Sequence, residues 1–193
     1  MSPREGRIFG MEHIPEKWLT TKIIHLGSVA NEINPETGFD FPDAHVCISL
    51  QGWLREWDDR VTIQPSPFPV IKNPFLENSS AFLSDEDLGF NRSSLDYLCS
   101  LFPLLVLTKG KYRAEFYWQD KIKSISDNPG KVVDPTGAGE IFAAAFMKYF
   151  VIEKKSIEKS ARLASALAAI SVTRPGIEGI PTELEIQSIQ KVQ

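Results

Sequence analysis

Asp134, Gly137, Gly139 and Glu140 crowd into one short run, Val132-Val133-Asp134-Pro135-Thr136-Gly137-Ala138-Gly139-Glu140-Ile141-Phe142. A short apolar stretch meets a turn of small residues, and the turn opens directly into an apolar helix. Gly137 and Gly139 let a ligand approach the backbone with no side chain in the way. The first N–H groups of a helix have no partner inside it and lie at the positive end of its dipole. The amides of Gly137, Ala138 and Gly139 therefore define an anion site made of backbone. Glu140 stands beside it, which suits a reaction where a hydroxyl loses a proton as a phosphoryl group arrives. The plainer reading is helix initiation, with Glu140 favouring the helix dipole. Glu140 is four residues from Thr136, not three, so the two do not form a capping box.

Three other groups could serve the same chemistry. Ser84-Asp85-Glu86-Asp87 places an acid three residues after a serine, the pattern of a helix cap. Thr108-Lys109-Gly110 turns the end of an apolar strand. Gln51 and Arg55 share a segment in which the arginine either reaches phosphate oxygens or lies on an exposed helix face. His13, His25 and His45 are scattered and make no metal spacing. Cys47 and Cys99 sit in apolar settings and read as buried free thiols, as a reducing cytoplasm allows.

The elements that must position these groups alternate. Lys22–Gly27 reads as a buried strand, and a short helical piece covers Val29 to Ile33, stopped by Asn34-Pro35. His45–Leu50 is the second strand. Gln51 to Trp57 follows, with its two tryptophans one helical turn apart and packed rather than stacking a ligand. Val61 to Glu77, with Pro65, Pro67, Pro69 and Pro74, is a stiff extended connection. Ala81–Leu83 is a short strand, Ser84–Asp87 opens a helix, and Asn91 to Phe102 is another. Leu104–Thr108 is a fully apolar strand, and a hairpin turns at Gln119-Asp120. After the glycine turn, Glu140 to Phe150 is apolar nearly all round. Ser156 caps a long helix to about Thr173, Arg174-Pro175-Gly176 stops it, and Thr182 with Glu185 caps the last one. Apolar strands between helices argue an α/β fold with a mostly parallel sheet covered on both faces. Ligands of such sheets bind at the carboxyl ends of the strands, where Gly27, Gln51, Ser84, Thr108 and the 134–139 turn all fall.

The 193 residues suit a single domain, with an ordinary hydrophobic content of 42% and a formal charge of −4. An acidic chain without a basic run argues against nucleic acid or anionic membrane as partners. No apolar run is long enough to span a bilayer. Residues 1–21 are weakly patterned.

The run Asp134-Pro135-Thr136-Gly137-Ala138-Gly139-Glu140 resembles the Asp-Thr-x-Gly-Ala-Gly-Asp signature of the ribokinase (PfkB) family of small-molecule kinases. That resemblance implies a ribokinase-like, Rossmann-like three-layer sandwich. It also implies ATP and Mg²⁺, and transfer of the γ-phosphoryl group to a hydroxyl of a sugar, polyol or nucleoside. By the same resemblance Glu140 takes the place of the catalytic Asp, beside Gly137, Ala138 and Gly139. Thr136, Thr108, Gly110 and Ser84 fall at nucleotide-binding positions. Ser84 and Asp87 stand for the family's Asn-x-x-Glu element, which supports Mg²⁺; metal support and simple capping both remain open for them. Arg113 stands where the family often has a second glycine after Thr-x-Gly. Gln51 and Arg55 fall where related kinases carry an Asp-x-Asn-x-x-x-Arg pattern, with Ser49 at the Asp, and Gln51-Gly52-Trp53-Leu54-Arg55 with Asp134-Pro135-Thr136 looks most like the myo-inositol and polyol kinases. Asp134 would orient the turn or a monovalent cation. Gly27 replaces a sugar-contacting carboxylate of some relatives. The family's Gly-Gly sugar element and lid strands have no counterpart in Met1 to Thr21. The expectation is thus a single truncated domain whose bared sheet edge favours a homodimer. A catalytically silent nucleotide-binding remnant is the alternative to an active kinase.

Overall fold

The computed structural model describes residues 9–29, 31–57, 62–70, 78–88, 92–110, 113–126 and 131–192. Pro74, Asn91 and residues 1–8 of the N-terminal segment lie outside them. The chain divides into two compact units, residues 1–108 with 115–123, and residues 109–114 with 124–193.

The first unit is built on strands β1 (Ile23–Leu26), β2 (His45–Ser49), β5 (Ser79–Ser84) and β6 (Leu104–Lys109), parallel throughout. β7 (Arg113–Trp118) and β8 (Lys121–Ser126) complete a six-stranded sheet in the order β1-β2-β5-β6-β7-β8. Gln119 and Asp120 between them have φ of 49° and 58°. Two consecutive left-handed residues make the turn whose twist matches a hairpin, so the predicted turn is where it was expected. The core of this unit is Leu26, Ile48, Leu50, Trp53, Leu83, Leu98, Leu105 and their neighbours. It is drawn from the central strands, from α2 (Arg92–Leu101) and from a 3-10 turn at Leu50–Leu54.

Two expectations fail here. Residues 29 and 31–33 are not helical; the Glu32 carboxylate accepts from Ser28 Oγ at 3.0 Å and from Val29 N at 3.1 Å. A side chain thus satisfies the backbone that a helix would have paired. The segment Gln51 to Trp57 is not one helix either. The 3-10 turn ends at Leu54, and β3 (Arg55–Trp57) pairs antiparallel with β4 (Ile63–Pro65). Trp53 and Trp57 are therefore not a helical turn apart. Trp53 is buried, donates from Nε1 to the Ile33 carbonyl at 2.6 Å and meets Phe68 edge to face.

The 3-10 turn passes so close to β1's exit that a Cβ on Gly52 would sit 2.4 Å from the backbone of Ser28. Gly52→Ala should therefore cost roughly 1–3 kcal/mol through forced backbone movement. Urea unfolding of the variant measures it, and an unchanged midpoint would show that the approach is looser than drawn.

In the second unit α3 (Ala138–Met147) continues into a π-helical turn at Lys148–Ile152. It packs against α4 (Ile157–Ser171). Phe142, Phe146 and Phe150 stack along α3, with centroids 6.2 and 5.4 Å apart. Ser156 accepts from Lys159 N as the expected cap. Thr182 and Glu185 exchange hydrogen bonds at the start of α5 (Glu183–Val192), completing the capping box. Val132 and Val133 form no strand before the glycine turn; Val133 N and Asp134 N both donate to the Val172 carbonyl instead.

Candidate functional site

The carboxyl ends of the parallel strands in the first unit gather Gly27, Gln51, Ser84 and Thr108, as expected. Side chains stitch neighbouring ends together. His25 Nε2 lies 2.8 Å from Ser49 Oγ across β1 and β2, and Thr108 Oγ1 donates to the Leu83 carbonyl at 3.3 Å.

Between β2 and β5 the link is ionic. Arg55 Nη2 lies 2.6 Å from Asp87 Oδ1. Asp87 Oδ2 accepts from Ser84 Oγ at 2.6 Å and faces Ser84 N at 3.3 Å. Asp87 N returns a bond to Ser84 Oγ at 3.1 Å, so the Ser84–Asp87 cap of α1 (Asp85–Leu88) is made. The Gln51 carboxamide faces the guanidinium, and with its oxygen inward it accepts from Nη1 and Nη2 of Arg55 at 3.0 and 2.8 Å. Arg55 opens a strand, so the exposed helical arginine is not found. The reason it was missed is local: nothing in Leu54-Arg55-Glu56 marks the change from 3-10 turn to strand.

Mg²⁺ does not fit Asp87 as a direct ligand, because both carboxylate oxygens already accept hydrogen bonds and the side chain is 5% exposed. Among the described residues no three His, Cys, Asp or Glu side chains converge on a metal-sized site. At the end of β6, Gly110 turns with φ +57° and open space at its Cβ position. Arg113 Nε donates to Ser124 Oγ at 2.6 Å, a contact at the foot of the hairpin.

The glycine turn belongs to the second unit. Ala138 N donates to the Pro135 carbonyl at 3.2 Å, and Gly137 has φ 81°, ψ −1°. Those are the features of a type II turn over residues 135–138, whose third position demands glycine. The first helical bond runs from Ile141 N to the Gly137 carbonyl. One correction follows: the Ala138 amide is spent within the turn, which leaves Gly139 and Glu140 to present the helix's unpaired N–H groups. Among the described residues, no atom beyond the adjoining backbone lies within 4 Å of the Cβ position of Gly137 or Gly139, so the turn is open on that side. Glu140 is exposed in the first turn of α3.

Asp134 fastens this turn from below. Its Oδ1 accepts from Thr136 N and its Oδ2 from Gly176 N, both at 2.9 Å. The amides of Gly176 and then Thr136, with the Thr136 hydroxyl, hold its carboxyl below the usual carboxylate range. Gly176 is the left-handed residue (φ 51°) at the stop after α4. Because the folded-state pKa is depressed, the contribution is fully present above the unfolded pKa of about 3.9. It is lost as pH falls through the folded value. Asp134→Asn should therefore show a shallower loss of thermal midpoint below pH ~4 than the parent chain. Parallel acid-side slopes would mean that the latch does not hold.

Cys47 is buried and Cys99 half-buried, both free thiols. Burial, and next the nearby Asp96 charge, push Cys99 up to about 11. His45 Nε2 meets Ser80 Oγ at 2.8 Å between strands, which is a structural use.

Residues 100–183 match the pfkB family of carbohydrate kinases. A probable fructokinase-4 of Arabidopsis thaliana is 32% identical over 192 residues, covering 89% of this chain and 59% of that protein. The ribokinase of Bacillus subtilis is 28% identical over 142 residues, 71% of this chain and 48% of its own length. The chain thus spans about half to three-fifths of these relatives. Among solved structures, a fructokinase of Xylella fastidiosa with bound ATP aligns at TM-score 0.71 and 20% identity, covering 96% of this chain and 66% of that one. A myo-inositol kinase described as pyrophosphate-dependent aligns at TM-score 0.73 and 18% identity, covering 92% and 65%. The fold is therefore α/β and ribokinase-like. Over residues 100–183, and in the signature run at 134–140, the chain is similar to the ribokinase/pfkB family of carbohydrate kinases.

Proposed function

We propose that this chain serves transfer of the ATP γ-phosphoryl group to a hydroxyl of a small sugar, an inositol-like polyol or a nucleoside. Gly139 carries the reading. Its φ is not in the left-handed region and no described neighbour crowds its Cβ position, so the described packing does not need glycine there. A glycine inside a helix nevertheless costs roughly 0.5–1 kcal/mol against alanine. An anion at the N–H groups of Gly139 and Glu140 is the occupant this geometry suits. Glu140 is the base that takes the hydroxyl proton. Thr108, Gly110, Ser84 and Thr136 belong to the nucleotide side in this reading, and Gln51 and Arg55 shape the phosphate or acceptor side through their pairing with Asp87. Mg²⁺, when bound with the nucleotide, would supply charge neutralisation on the phosphates. Both Asp134 oxygens take backbone N–H groups, which favours orienting the turn over holding a monovalent cation.

A silent nucleotide-binding module is the second reading, favoured by Glu140 itself. Its carboxylate reaches about 1 Å further than an aspartate, and displacements of that size can cost ~100-fold in rate. ADP release over a panel of hexoses, inositols and nucleosides tests the proposal. ATP binding without turnover on any acceptor would leave only the second reading. No helix among the described residues is long and apolar enough to cross a membrane.

A further inference from the structure

We infer that Arg55 and Asp87 are positioning residues, forming a metal-independent clamp that joins the exit of β2 to the exit of β5. Asp87 lies outside the divalent-cation route that its position in the motif suggests. Three observations carry this. The carboxylate is 5% exposed and has both oxygens engaged, by Arg55 Nη2 at 2.6 Å on one side and Ser84 on the other. Its cationic partner is held in turn by Gln51, whose carboxamide lies 2.8–3.0 Å from both terminal nitrogens of Arg55. The partners come from segments that leave adjacent parallel strands, Gln51 and Arg55 following β2, Ser84 ending β5 and Asp87 lying in α1 directly after it. A divalent cation could reach Asp87 only by displacing a hydrogen-bonded guanidinium from a nearly buried site, and Mg²⁺ gives up its own waters reluctantly. The clamp instead fixes the strand exits before any ligand arrives, so ligand binding need not order them.

The metal half of this inference rests on the nucleotide-binding reading above, whereas the clamp half does not. The experiment separates them. In EDTA and without nucleotide, Arg55→Met should lower the thermal midpoint by about 4–10 °C, because it strands the 5%-exposed Asp87 carboxylate, and Asp87→Asn should lower it by less, because Arg55 is 33% exposed. Arg55→Met combined with Asp87→Leu removes both charges and should regain at least half of that loss, and this pair keeps the test open if a single variant fails to fold. The gain in affinity for a non-hydrolysable ATP analogue on adding Mg²⁺ should stay within about threefold of the parent's in Asp87→Asn, since an indirect role would forfeit about tenfold or more. A metal-free midpoint unmoved by Asp87→Asn overturns the clamp. A lost Mg²⁺ gain with the midpoint intact returns Asp87 to the metal. If the parent chain binds no nucleotide under either condition, the functional proposal fails while the midpoints still decide the clamp.

Discussion

Glu140→Gln should cut turnover by about 10²–10⁴-fold while ATP binds as well as before or more tightly. The two effects part because the proposed mechanism gives the carboxylate opposite roles in the two states. In the ground state it is a negative charge next to the amides proposed to hold phosphate, so removing it relieves repulsion. In the transition state of the proposed reaction it would accept the proton of the attacking hydroxyl, which the amide cannot do. A purely structural carboxylate would not split binding from turnover in this way. Glu140→Asp sharpens the test, since an acceptor placed for the shorter side chain should react at least as fast with aspartate as with the native residue. The glutamate is exposed in the first turn of α3, so neither change disturbs packing. Initial rates of ADP release with equilibrium binding of a non-hydrolysable analogue decide the matter. Turnover in Glu140→Gln equal to the parent's would remove the residue from the chemistry.

How far such a site can be read from sequence depends on whether its geometry is local. The hairpin turn at Gln119-Asp120, the Ser156 cap and the Thr182–Glu185 box were all legible, because each is set by residues within three or four positions. The parallel order of β1, β2, β5 and β6 follows from apolar runs separated by crossovers. What stayed hidden was non-local or competitive. Arg55 pairs with Asp87 across 32 positions, and no spacing rule links them. β3 and β4 meet through a proline-rich stretch that reads as connection, since Pro65 cannot donate to a ladder. Asp134 reaches Gly176 across 42 positions, although the two mark the turn and the helix stop as separate punctuation. The Val132-Val133 run looked like a strand, but its backbone is claimed by the Val172 carbonyl at the end of α4.

Gly139 supplies the other large effect, and its value lies in two opposed signs. Gly139→Ala should stabilise the protein by up to about 1 kcal/mol, a rise in thermal midpoint of roughly 2–4 °C. The Cβ position is open and the backbone not left-handed, so alanine gains helix propensity there without strain. The same methyl group would stand over the N–H groups at the mouth of α3. Losing one hydrogen bond to a charged phosphate is worth about 1.5–3 kcal/mol, so ATP affinity should fall about 10- to 100-fold. Gly137→Ala provides the contrast: with φ at 81°, it should cost stability instead, by roughly 1–2 kcal/mol. A residue kept for the fold cannot behave like Gly139, because the substitution that damages function would then damage folding as well. A more stable Gly139→Ala variant with undiminished ATP affinity would make the turn an ordinary helix start, and the anion site would have to be sought elsewhere in the chain.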